Sequence, residues 1–566
     1  MVARLGADPA GRLLGHTLSE APGHLWMQWL IRRAVFEGEP LFGQDDIILG
    51  ETLWVMPLDW ITRAAAGLLE LVVTPEATYN LLAAALLALA GAAAARLAAQ
   101  AGAGKWPAAL AALLVIWSPS LLGFAADGRL DSMGIGWVGM LAVAWIAAMR
   151  APSWRRGAAM GGWAVGVVFS GPNATVATAL AAAIPTAAAA RRDPRRIRPL
   201  LIATGIAGAA AVLTLTTLVL VERNDSGRLE QISNEDVQHV FEATTPEAIA
   251  QNRLADFWVG ARALNHDVPV GSAWRLPPTL HGHPATQNAA RMAVVQPYAP
   301  GAWWGISVVP WLLALVALVR APRAAAPWVA LAAASLVLGL GHGSSQTLPL
   351  RIGSQLYYIA PAVLIERLPV LSAFNNYGLF STFSALAVAV AAAIGASRLP
   401  RPPLVVAAAA LLWLAEVQRG PVPLPLAVND MRPPAGLLEA LEGMPAEQAV
   451  MMLPMSKDLN NYLQTHHHHP TLLRFRYADV APGKDPMLAD PNGSASALLD
   501  HVRGRSTRSR RLPRELAAGG VGAVVAVPAL LPPPHDEALT EALRQALGAP
   551  SWSDGGYQVY RLTTAP

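Results

Sequence analysis

The 566-residue sequence predicts an all-α polytopic membrane domain of about ten transmembrane helices, followed by a small α/β extramembrane domain. Three observations predict it. Hydrophobic residues make up 54% of the chain and charged residues 14%, well below the roughly 25% charged residues of soluble domains. The apolar residues arrive in blocks close to the ~20 residues that cross a ~30 Å hydrocarbon core. Beyond residue 420 the blocks give way to short apolar runs separated by polar and Pro/Gly-rich segments.

The blocks fall at 77–95, 106–124, 133–149, 157–171, 174–190, 199–221, 303–319, 326–341, 378–397 and 403–418. Basic residues gather in alternate connections: Arg96 and Lys105; Arg150, Arg155 and Arg156; Arg191, Arg192, Arg195, Arg196 and Arg198; Arg320 and Arg323; Arg398 and Arg401. Asp193 is the only acid among them. Ten crossings put all these connections on one side, which the positive-inside rule makes cytoplasmic. The same placement accounts for the net charge of +4 without a nucleic-acid partner.

Everything else is expected on the outer face. This covers an external first loop with interfacial helices (1–75), the connection 125–132, the insert 222–302, the segment 342–376 and an α/β domain (421–566). The transmembrane domain occupies 76–420. Residues 52–73 are apolar but carry Asp59, Arg63 and Glu70, which predicts an amphipathic helix lying along the outer interface. Residues 1–50 hold no continuous apolar region, so a first transmembrane helix is expected upstream of Met1. In the tail, 449–454, 521–528 and 557–562 read as strands, and 433–443 and 536–548 as helices.

The candidate chemistry sits in the outer segments. Glu20 and His24 are four residues apart at the start of a helix near Pro22, so both can face one way. Glu20 is then a base, a metal ligand or an N-terminal capping carboxylate, and Trp26 and Trp29 are interfacial anchors. Asp45 and Asp46 form a divalent-cation site (Mg or Mn) or a solvated turn. Asp127, Arg129 and Asp131 lie between two spans, where charges are costly unless paired or functional. Arg129 flanked by acids holds a phosphate or pairs with its neighbours. His466 to His469, read as an extended run, point to alternate sides and argue against a dedicated metal site. His281 and His283 border an outer cleft. No cysteine is present, so disulfides and thiolate metal sites are excluded. Walker-type Gly loops, HExxH and GxSxG elbows are absent from the sequence.

Longer motifs add a resemblance. "GHLWMQWLIRRAVFEGEPLF", "PLDWI…ELVVTPEATYNLLAAALLALAGAAAARLAAQAG" and "AALLVIWSPSLLGFAADGRLDSMGIGWVGM" resemble the front half of bacterial GT-C type glycosyltransferases. "LPVLSAFNNYGLFSTFSALAVAVAAAIGA" resembles a late helix of that family, as does the tail ending "VYRL". The resemblance implies an enzyme of the bacterial inner membrane that takes a sugar from a polyprenyl-phosphate donor. It places an essential carboxylate in the first external loop, where Glu20 matches best and Asp45 and Asp46 are the alternatives. His24, Asp127, Arg129 and Asp131 are the expected substrate-binding groups, and Arg129 is the best placed cation for the departing lipid phosphate that the resemblance implies. A non-catalytic envelope assembly protein and a transporter of lipid-linked substrates are the competing functions. Transporters favour internal repeats and midplane polar groups, whereas here ionisable residues cluster at the ends of spans.

Overall fold

The computed structural model describes residues 12–14, 21–40, 44–49, 51–53, 59–171, single positions between 174 and 195, 197–224, 308–339, 349–352, 355–358, 379–418, 428–430, 432–453, 457–472, 492–502, 511–530, 535–554 and 556–562. The expectations for Glu20, for 225–302 with His281 and His283, and for most of the span 174–190 lie outside them.

Strand β1 (Arg12–Leu14) precedes helix α1 (Ala21–Arg32), which continues as one π-helical turn, Arg33–Glu37, closed by Gly38. A β2–β3 hairpin follows (Gln44–Ile48 and Glu51–Leu53), then helix α2 (Trp60–Leu69). The membrane helices begin with α3 (Pro75–Gln100), where the Thr74 side chain caps Ala77 N and Pro75 occupies the first turn. Helices α4 (Lys105–Ile116), α5 (Pro119–Asp127), α6 (Ile135–Arg150), α7 (Trp154–Ser170) and α8 (Ile197–Asn224) follow. Helices α9 (Val308–Arg320) and α10 (Pro322–Gly339), the β4–β5 hairpin (Pro349–Ile352 and Gln355–Tyr358), and α11 (Leu379–Ala396) and α12 (Pro402–Gln418) complete this half.

By length and composition, three described helical stretches can cross a membrane: Pro75–Gln100, Leu130–Arg150 and Ile197–Thr214. The expected single span 106–124 is two helices, α4 and α5, bent by 47°. Its cause is local. Pro119 lacks the N–H that would continue the ladder, and Ser118 instead caps the new helix by accepting from Leu121 N. Counted as one span, this pair makes a fourth; α9, α11 and α12 are shorter apolar helices.

The basic connections converge. Arg150 donates to the Gln100 carbonyl (2.8 Å), and Gly104 N donates to Ser397 Oγ (3.4 Å). Arg156 donates to the Ala147 and Ala151 carbonyls. The connections after α3, α6 and α11 therefore share one end of the bundle. The first loop, the N-terminus of α3 and the turn after α5 share the other.

The tail carries strand β6 (Val428–Asp430), α13 (Ala435–Leu441), β7 (Ala449–Leu453), α14 (Lys457–His467), α15 (Ser494–Val502), α16 (Leu512–Ala518), β8 (Val521–Ala526), α17 (His535–Leu547), β9 (Trp552–Asp554) and β10 (Tyr557–Arg561). Its sheet runs β7-β8-β10-β9, with β7 parallel to β8 and the other pairs antiparallel. Period-two alternation splits β7. Val450 and Met452 join the core that extends into the membrane helices, while Met451 and Leu453 pack with Leu498, Leu516 and Leu543 of α15, α16 and α17. Burial on both faces explains why β7 and β8 are continuous apolar runs. The five tail elements expected from the sequence are all present. The tail is also stitched to the first loop: β1 pairs with β6, and Asn80 of α3 bonds Leu14 N (2.9 Å) and the Arg12 carbonyl (2.7 Å).

Candidate active site

Helix α1 presents two faces. Trp26, Leu30 and Arg33 point one way, and His24, Gln28 and Arg32 the other, as a 3.6-residue period requires. The first face meets the tail and the β2–β3 hairpin. Trp26 Nε1 donates to Gln464 Oε1 (3.0 Å), and Gln464 Nε2 in turn donates to the carbonyls of Ile47 (2.7 Å) and His469 (3.1 Å). Arg33 holds Asp46 through two bonds of 3.2 and 2.6 Å and lies 5.0 Å from the Trp29 ring. Asp46 is thus engaged by Arg33. Asp45 lies on the same strand, and its side chain is outside the described residues.

The second face builds the cluster. Asp59, at φ 63°, caps α2 by accepting from Thr62 N. One turn on, the Arg63 guanidinium donates to the His24 carbonyl (2.8 Å) and contacts His24 Nδ1. Nδ1 is then the acceptor, so the imidazole carries its proton on Nε2. That nitrogen lies 4.0 Å from Asp131 Oδ1, a buried oxygen that bonds no group of the protein among the described residues. The gap is too long for a direct hydrogen bond. Tyr79 stands behind His24 with ring centroids 6.3 Å apart.

The turn between α5 and α6 delivers Asp131. Gly128 ends α5 at φ 78°, a left-handed conformation that L side chains rarely adopt. A Cβ there would also overlap the Ala21 backbone, so the turn lies directly against the N-terminus of α1. A 3₁₀ turn, Leu130–Met133, then aims Asp131 at His24. Arg129 is half-buried, 6.0 Å from the Phe124 ring. Asp127 closes α5, and its side chain is outside the described residues.

Burial dominates the electrostatics. Desolvation, then the charges of Arg63 and Arg129, hold His24 well below the ordinary histidine range, so it is neutral. Burial pushes Asp59 up to about 7, against the pull of the Thr62 hydrogen bond and Arg63 and with the help of Asp131. Glu70 is likewise raised to about 7, mainly by burial. A folded-state carboxyl raised from 3.8 to about 7 stabilises the fold below pH 4, and that contribution is lost as pH rises through 7. Asp59→Asn keeps the cap and cannot ionise. Its unfolding midpoint relative to wild type is therefore expected to rise between pH 4 and 8; a pH-independent difference would mean that Asp59 stays charged.

The histidine run is not extended. His466 and His467 form the last turn of α14, His468 takes φ 58°, and His469 N donates to His467 Nδ1 (3.0 Å). The run ends a helix and packs against Trp29. Among the described residues, no three His, Asp or Glu side chains are grouped to hold a metal ion.

The structure thus brings together His24, Arg129 and Asp131 from the predicted set, and adds Asp59, Arg63 and Tyr79. Arg63 was legible in part. Positions 59, 63 and 70 are spaced by four and seven, which places all three ionisable groups on one face of α2.

No protein-family model and no curated protein matches this sequence. Solved structures do. The mycobacterial arabinofuranosyltransferase AftD matches with a TM-score of 0.50 at 14% identity, over 95% of this chain and 37% of that one. The Archaeoglobus fulgidus oligosaccharyltransferase tethered to an acceptor peptide gives 0.47 at 12%, over 95% and 67%. ArnT from Cupriavidus metallidurans bound to undecaprenyl phosphate gives 0.40 at 13%, over 99% and 96%. This chain spans about a third of the length of the arabinofuranosyltransferase. With its apolar helices able to cross a bilayer, the chain is a membrane protein with the fold of the GT-C type glycosyltransferases.

Proposed function

We propose that the protein transfers a sugar from a polyprenyl-phosphate donor to a hydroxyl of an envelope glycan, lipid or protein on the periplasmic face of the inner membrane. The observation that carries this reading is the His24–Arg63–Asp131 cluster, where the first loop, α2 and the turn after α5 meet. It combines the Arg63 cation with a carboxylate oxygen that bonds no described group of the protein. The end of the bundle that carries it is opposite the converging basic connections.

The acceptor oxygen attacks the anomeric carbon, the new C–O bond forms and the bond from that carbon to the phosphate oxygen breaks. The acceptor proton passes to a carboxylate, and polyprenyl phosphate leaves as an anion beside Arg63 and Arg129. The family resemblance assigns the base to Glu20. Asp131, with Oδ1 4.0 Å from the Nε2 of neutral His24, supports the same step from the second loop. A carboxylate that binds the acceptor hydroxyl lowers the barrier as a general base, typically ~10²–10⁴-fold. The exposed apolar side chains of Leu68, Leu71 and Val72, around the end of α2, suit a polyprenyl chain arriving from the bilayer.

The test is turnover by purified full-length protein in nanodiscs supplied with labelled polyprenyl-phosphoryl sugars and envelope extract. Release of polyprenyl phosphate with label in an acceptor is expected. Binding without turnover would favour the non-catalytic assembly role, and label crossing the bilayer intact would favour a transporter.

A further inference from the structure

Gln28 is 3% exposed, yet neither Nε2 nor Oε1 hydrogen-bonds any group of the protein among the described residues. A buried amide left in that state costs about 1–3 kcal/mol, so its retention calls for a partner outside the fold. Its surroundings indicate which. Gln28 lies four residues after His24 on the same face of α1, and α2 packs beside it. Arg63 meets His24 at one end of this strip, and at the other the Arg32 charge acts on Glu70. Between them α2 places Ala66, buried in the core, and Gly67, where an added Cβ would touch nothing within 4 Å. Arg63 Nε, Glu70 Oε1 and Asp131 Oδ1 are also buried without a hydrogen bond among the described residues. The strip therefore offers donors and acceptors in alternation beside a cation.

We propose that this strip is the donor-sugar subsite and that Gln28 binds adjacent ring hydroxyls. A primary amide both donates and accepts, which matches vicinal hydroxyls, whereas a phosphate only accepts. The neighbouring Arg63 takes the phosphate to which that sugar is joined. The inference rests on the donor reading above and names a specificity residue for it.

The experiment measures binding of farnesyl phosphate, and of farnesyl-phosphoryl mannose, glucose and arabinofuranose, to full-length wild type and Gln28→Met in nanodiscs. Wild type is expected to bind at least one sugar conjugate more tightly than farnesyl phosphate. Gln28→Met is expected to lose about tenfold of that gain, as two neutral hydrogen bonds would give. Its affinity for farnesyl phosphate should not change. Its ligand-free unfolding midpoint should be equal to or above wild type, because an unpartnered amide has been removed. A retained sugar gain, or a lowered ligand-free midpoint, would assign Gln28 to the fold and overturn the subsite. Farnesyl phosphate binding with no gain from any sugar would overturn the subsite alone. Binding of none of the four compounds would remove the donor reading and the subsite with it.

Discussion

Arg63→Met is expected to destabilise the protein by about 1–3 kcal/mol and to abolish turnover. Removing the guanidinium leaves the buried His24 carbonyl without its side-chain donor, which costs about 1–3 kcal/mol. Arg63 is buried, and Asp59, Asp131 and Glu70 all act on its charge. It also satisfies the His24 carbonyl and fixes the His24 tautomer by contacting Nδ1. Methionine fills most of the volume and does none of this. Arg63→Lys restores a charge but cannot reach both His24 atoms as a planar fork does, so it should recover stability before activity. Denaturant unfolding in detergent and single-turnover assays read the two effects. Near-wild-type stability in Arg63→Met would show that the guanidinium does not organise the cluster.

Glu20→Gln is expected to lower kcat by ~10²–10⁴-fold with little change in donor KM, as loss of a general base does. Expression should be nearly unchanged, because a carboxylate at a helix start contributes only ~1 kcal/mol to stability. Asp131→Asn should act differently. Asp131 faces His24 Nε2 and lies within the fields of Arg63 and Asp59, so its loss disturbs the phosphate-side groups. A raised donor KM should appear before the maximal rate falls. Full turnover by Glu20→Gln would transfer the base to Asp131 or to Asp45 and Asp46. Silence of all of these substitutions in an active enzyme would move the site out of the first loop.

Block length, basic connections and period-two runs are local properties. From them the sequence by itself determined a membrane helical domain with its positive charge at one end, the start of α1 near Pro22 and five elements of the tail. It also picked out His24, Arg129 and Asp131 as polar residues in costly positions. Tertiary structure decided what those residues do. His24 and Asp131 are far apart in sequence and meet only because Gly128 lets the turn after α5 lie against Ala21. The span 106–124 broke at Ser118–Pro119 because capping and a missing N–H outweigh apolar length. Arg33 and Asp46 pair across the first loop, a contact that neither residue's neighbours encode. The histidine run became a helix end, because α14 docks on α1 through Gln464 and Trp26. Gln28 carried no signal at all in the sequence. A glutamine on a helix is ordinary, and only burial without a hydrogen-bonding partner, a property of the packed chain, marks it out.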